Sequence, residues 1–237
     1  MLGRAKIQLC GRLVVLIDGQ RLEDRLPGRQ GRRLFAFLVV NRHRTLTRAQ
    51  LLDALWPEGQ DGGLAPLLSK LRRVTPLEEY RIALPAGAWV DIEAAAEAVH
   101  RAESAIAQGK FHDAWGPSQV AMFVTGRPFL PTEDMPWVAE VRRSLDDLNL
   151  RASEAYARAG LGIGSTELPA AVRMGRALIA REPYRETGYC LLIEALAREG
   201  NKAEALRIYE KLRRRLRNDL GVAPGVHAQE LHRQLLR

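Results

Sequence analysis

The chain is expected to be mainly α. An N-terminal winged helix-turn-helix domain of α+β type (residues 1–92) precedes an all-α, tetratricopeptide-like repeat domain (residues 93–237). Three observations predict this. Short alternating apolar runs flank three helical periodicities in the first 92 residues, and nearly everything beyond Asp91 keeps helical spacing. The third is the placement of charge. Residues 1–90 hold 15 Lys/Arg and 8 Asp/Glu, a balance of +7 out of a formal +8 for all 237 residues. A local basic excess is what a phosphate-binding module shows, because nucleic-acid affinity rests on cations displacing condensed counterions.

In chain order, KIQLCGRLVVLIDGQRLE alternates in part and carries a turn pair at Asp18-Gly19, which predicts two or three short strands. The period then changes. RQGRRLFAFLVVN places Leu34, Phe37, Leu38 and Asn41 at helical spacing, a first helix over about 29–41. A second helix, about 47–56, opens on Thr47 and Gln50 at the spacing of a capping box and stops at Pro57. The third is expected over Gly62 to Val74. At about 100° per residue, Leu64, Leu67, Leu68, Leu71 and Val74 share one side, with Pro66, Ser69, Lys70 and Arg73 opposite. YRIAL and AWVDI then read as a hairpin turning at Pro85-Ala86-Gly87.

Helical segments are predicted over about 91–108, 111–125, 136–160, 167–181, 184–199, 202–220 and 225–236. Gly109 lies five residues before Ala114 and Gly200 five before Ala205, while Ala171 precedes Ala205 by 34. That offset is the length of a tetratricopeptide unit, in which small residues let paired helices approach closely. Ala114 and Ala171 are 57 residues apart, so the first of about three repeats is out of register.

With both halves in view, the sequence resembles the bacterial transcriptional activator domain proteins, including the Streptomyces antibiotic regulatory protein type. The resemblance is carried by LVVLIDGQRLE, LTRAQLLDALWPE with SKLRRV behind it, LPAGAWVDIEAA, and the long run from EPYRETGYCLLIEALAREG to the basic helix ending LRNDLGVAP. It implies an OmpR-like winged helix joined to a helical repeat domain, binding double-stranded promoter repeats as a homodimer and contacting RNA polymerase. Carried over by position, Ser69, Lys70 and Arg73 would face the major groove, Arg72 would suit a phosphate, and Thr47 and Arg48 would meet backbone phosphate at a helix N-terminus. Two departures stand out. The third helix opens Gly-Gly-Leu-Ala-Pro, without polar groups for base edges, and the turn at Pro85-Ala86-Gly87 carries no cation. They keep open a reading of another class: a receptor or adaptor for an anionic small molecule or signalling nucleotide held between the two domains, with DNA binding secondary.

Other motifs read as structural. AGLGIGS, with Gly160, Gly162 and Gly164, lacks the preceding strand that positions a dinucleotide, and a Walker A sequence is missing. The five histidines lack metal-site spacing, and no nucleophile sits beside a base, so neither metal, cofactor nor enzymatic activity is expected. Cys10 and Cys190 sit in apolar contexts and read as buried thiols. Arg213–Arg217, the densest cation run, is read as solvating a helix end and offsetting its dipole. Trp56, Trp89, Trp115 and Trp137 read as packing residues. No apolar run approaches the roughly 20 residues needed to span a bilayer, and Arg12 and Asp18 interrupt the N-terminal one, so a cytoplasmic protein without export signal or membrane partner is expected.

Overall fold

The computed structural model describes residues 5–59 and 63–237. Its packing divides the chain into two units, one running to Ala94 and taking in Arg127–Leu145, the other formed by Ala95–Gly126 and Asp146–Arg237. The expected cut at 92/93 lies close to the end of the first stretch, but a single cut does not provide the return of 127–145.

In the first unit, β1 (Ala5–Gln8), β2 (Val14–Ile17) and β3 (Gln20–Arg21) form an antiparallel meander, with Ile7 opposite Val15. Asp18 and Gly19 take the turn with φ of 50° and 80°, the positive values that a two-residue hairpin loop of this hand requires. Three helices follow: α1 (Gly28–Val40), α2 (Arg48–Leu55) and α3 (Leu64–Arg72). Leu34 through Val39 are all buried, so the second half of α1 is covered on every side rather than along one stripe, while Arg29, Gln30 and Arg32 in its first half are exposed. It is the central helix of the unit, with α2 and α3 both packed on it.

The wing differs from its expected form. β4 (Leu77–Glu78) pairs with β5 (Arg81–Ile82), so the hairpin turns at Glu79-Tyr80, with Glu79 at φ 50°, not at Pro85-Ala86-Gly87. β6 (Trp89–Val90) instead runs parallel to β1, Lys6 opposite Trp89, completing a sheet of order β3-β2-β1-β6. The physical reason lies in Asp91. Its fully buried carboxylate accepts the backbone N–H groups of Leu9 (3.0 Å), Cys10 (2.9 Å) and Ile92 (2.9 Å), tying the end of β1 to the residue after β6. A strand anchored there has its ladder partner in β1. Burial pushes the Asp91 pKa up, against the opposing pull of those N–H donors and of Arg127.

Residues 127–145 return to this unit through apolar and ionic contacts. Phe129, Leu130 and Val138 are buried, Gly11 N–H donates to the Pro128 carbonyl (2.8 Å), and the Trp137 ring meets Phe37 edge-on at 5.2 Å. Glu133, 6% exposed, accepts from Arg29 Nε (2.9 Å) and from Arg33 Nε (2.9 Å) and Nη2 (2.7 Å).

The second unit is all α: most of α4 (Asp91–Ala107), α5 (Phe111–Thr125), the part of α6 (Pro136–Ile163) from Asp146 on, α7 (Leu168–Arg181), α8 (Glu186–Arg198), α9 (Lys202–Leu220) and α10 (Val226–Leu235). Ala114, Ala171 and Ala205 are all completely buried, as the repeat offsets require. Gly109 and Gly200 close their turns at φ 72° and 84°, values that cost a side-chain-bearing residue free energy. The slipped register of the first repeat follows from α6, whose 28 residues are twice the 14 of α7. Gly160 and Gly162 lie inside α6, not in a loop; a Cβ on Gly162 would fall within the Phe111 ring. They are packing glycines. Among the described residues, no helix is long and apolar enough to cross a membrane.

Candidate nucleic-acid interface

The candidate surface is built on α2 and α3. Thr47 forms both halves of a capping box: its Oγ1 accepts the Gln50 N–H (3.2 Å), and its own N–H donates to Gln50 Oε1 (2.9 Å). This fixes the start of α2 and leaves Thr47 and Arg48 exposed there. α3 begins after Gly63, which takes φ 92°, so the helix starts at Leu64; Gly62, expected as its first residue, lies outside the described residues. Pro66 in its first turn removes an N–H that would have had no helical partner.

The predicted division of faces is present. Leu64, Leu67, Leu68 and Leu71 are buried, while Ala65, Pro66, Ser69, Lys70, Arg72 and Arg73 are exposed. Val74 is half-buried at the margin. Lys70 and Arg73 form no ion pair among the described residues, so their charge is presented outward. Arg72 differs: its Nη2 donates to the Glu79 carbonyl (3.3 Å), bracing the wing turn with one nitrogen and leaving the rest of the guanidinium exposed. Helical periodicity does not reveal this bond, because Glu79 lies beyond the helix. The wing carries charge that the expected turn lacked, with Arg81 Nη2 paired to Glu78 Oε2 at 2.7 Å. A further cation escaped the sequence reading: Arg44 is exposed in the connection between α1 and α2, three residues before the Thr47 cap.

A winged helix with a cation-faced third helix, carried on one chain with an all-α repeat unit, defines a two-part winged-helix and helical-repeat protein. The chain belongs to the bacterial transcriptional activator domain family, whose model matches residues 90–236. It is similar to the regulatory protein AfsR of Streptomyces coelicolor, 30% identical over 93% of this chain and 23% of AfsR. It is also similar to the transcriptional regulatory protein EmbR of Mycobacterium tuberculosis, 27% identical over 99% of this chain and 64% of EmbR. The solved structure of M. tuberculosis EmbR in complex with a low affinity phosphopeptide superimposes with a TM-score of 0.82 at 26% identity, over 99% of this chain and 65% of that one. The chain thus spans under a quarter of AfsR and just under two thirds of EmbR. AfsR is described as a regulatory protein and EmbR as a transcriptional regulatory protein.

Proposed function

We propose that this chain is a cytoplasmic DNA-binding transcriptional activator. Its winged helix, residues 1–92, lays α3 in the major groove of a promoter repeat, and its helical repeat domain, residues 93–237, serves dimerisation on DNA and contact with RNA polymerase. The observation that carries this reading is the outward face of α3. Ser69, Lys70 and Arg73 stand exposed on a helix whose other side is locked into the core by four leucines. Arg73 addresses a base edge, Arg72 reaches a phosphate while bracing the wing, and Thr47 and Arg48 offer a helix N-terminus to the backbone. Membership of the activator family and likeness to the EmbR structure support it.

The test is DNA binding by anisotropy between 50 and 200 mM salt, on duplexes from the promoter region of the chain's own gene. Removing a guanine contact costs roughly 1–3 kcal/mol at one base position, whereas removing a phosphate contact flattens the salt slope by about one unit on every sequence. Arg73→Ala is expected to do the first and Arg72→Ala the second. A folded Lys70→Ala/Arg73→Ala chain that binds its best site with unchanged affinity and salt dependence would overturn the assignment.

A further inference from the structure

Helix α9 carries seven Lys/Arg against three Asp/Glu, and where each of them goes decides what the helix presents. Ala205, Tyr209, Leu212 and Leu216 are buried and hold one side of it in the core. At about 100° per residue, Arg207, Lys211 and Arg214 fall on the opposite side, within about 60° of one another. All three are exposed, in line with Ala203 and Asn218, which are exposed too.

The carboxylates beside this stripe are already engaged. Glu204 on one flank accepts from Arg176 Nη2 (2.8 Å), and Glu210 on the other is gripped by Arg213 through Nε and Nη2 (2.9 Å each). Asp219 takes the Tyr184 hydroxyl (3.2 Å). Arg215 leaves the surface for the groove between α7 and α9, where its Nη1 donates to the Tyr189 hydroxyl (2.8 Å). The stripe keeps its charge. Lys211 has no ion pair or hydrogen bond among the described residues, and Arg207 gives only a 3.5 Å bond from Nε to the Ala203 carbonyl. Arg214 Nε stands 4.0 Å from a carboxylate that Arg213 already holds. Helix-end solvation does not account for this line, because an end dipole is felt within the last turn, whereas Lys211 and Arg207 lie about two and a half turns or more before Leu220.

Composition selects the partner. A protein or lipid surface is held by apolar anchors, and this face has none: beside the three cations it offers Ala203 and Asn218, while Tyr209, Leu212 and Leu216 are turned into the core. A phosphodiester backbone needs only charge, because the counterions it releases supply the driving force. Arg207 to Arg214 spans about 10.5 Å at 1.5 Å per residue, a length over which duplex DNA carries about six phosphates. We propose that the outward stripe of α9 is a second DNA surface, on the repeat unit, which holds the phosphate backbone of a duplex without reading its sequence. It goes beyond the α3 reading and stands or falls separately from it.

Anisotropy of the full chain decides it, on one labelled duplex from its own promoter region and one of unrelated sequence, between about 50 and 200 mM salt. Arg207→Gln/Lys211→Gln/Arg214→Gln should lower the salt slope by about 2.7 units on both, so that over this range the parent's affinity falls about fortyfold more than the variant's. Its melting temperature should equal the parent's, since all three positions are exposed. Arg207→Lys/Arg214→Lys, which keeps the charge, should keep the slope. So should Arg101→Gln/Arg173→Gln/Arg237→Gln, which removes three exposed cations from elsewhere in the repeat unit. Neutralising the stripe in the Lys70→Ala/Arg73→Ala chain should lower its slope by the same amount. An unchanged slope in the stripe variant, or an equal drop in the chain neutralised elsewhere, overturns the proposal whatever α3 does. So does a stripe variant that keeps its duplex binding but no longer binds polyglutamate or phosphatidylserine vesicles, which would give this face to an acidic protein or a membrane. A parent that binds both duplexes alike, with a slope that depends on the stripe, would sink the α3 reading and leave this one standing.

Discussion

Single residues show the limits of space in this fold. Ala205 has no exposed surface, and the extra volume of Ala205→Leu must push α8 and α9 apart, a change that costs about 1–3 kcal/mol in packed cores. Its melting temperature should fall by several degrees; equality with the parent would refute the repeat assignment. Ala205 was legible from its offset of 34 from Ala171, but Gly175 was not. A Cβ on Gly175 would stand 2.9 Å from Leu192 Cβ and 3.0 Å from its Cα, so Gly175→Ala should destabilise even though alanine is the better helix former by about 1 kcal/mol. Nothing near Gly175 in the chain announces that α8 passes so close. The cysteines give a chemical check. Burial, then the Asp91 charge, pushes the Cys10 thiol up to about 12, and burial followed by Glu186 pushes Cys190 to about 11. Neither should react with a thiol reagent at pH 8 in the folded chain, and both should react once it is unfolded in guanidinium.

At the scale of elements, locality decides what could be anticipated. The capping box at the start of α2 needs only residues three apart, and the structure has it where the spacing placed it. Thr47→Ala should cost about 1 kcal/mol of stability and Thr47→Ser far less, a comparison that urea midpoints resolve. The leucine stripe of α3 was equally legible, since burying it depends on a turn of about 100° and nothing distant. The wing was not. Its strands are two residues long, and a strand that short carries too little alternation to choose its own partner. Pairing between helices adds a pH signature. Arg151 Nε and Nη2 grip the Glu103 carboxylate at 2.9 and 2.7 Å, and that hydrogen bonding, against a partial burial penalty, holds its pKa below the usual glutamate value. A depressed folded pKa means the stabilisation is in place above the unfolded value of about 4.3 and is lost as pH falls through the folded one. Glu103→Gln should therefore lose less stability than the parent between pH 6 and pH 3.5; an identical loss would show that the pair does not contribute.

For the whole molecule, the segment 127–145 is the main lesson. Glu133 is buried between Arg29 and Arg33, and Arg33 keeps only 13% of its side chain exposed. Deleting one member of such a pair leaves a buried charge unanswered, so Glu133→Ala should cost about 3–5 kcal/mol and loosen the first unit. A fragment ending at residue 92 lacks Glu133, Phe129 and Trp137 altogether. It should melt well below the full chain and bind promoter DNA more weakly; a fragment as stable as the full chain would show the returning segment to be dispensable. Helix spans, caps, the buried stripe and the outward cations of α3 were all readable from the chain, because each follows from torsional preference and periodicity within a few turns. The pairing of β6 with β1, the capture of Leu9 and Cys10 by Asp91, the return of 127–145 and the groove between α7 and α9 join residues from about 30 to about 100 positions apart. Such contacts are settled by which segments can bury apolar surface together while every enclosed N–H, carbonyl and charge finds a partner, and that competition runs over the entire chain at once.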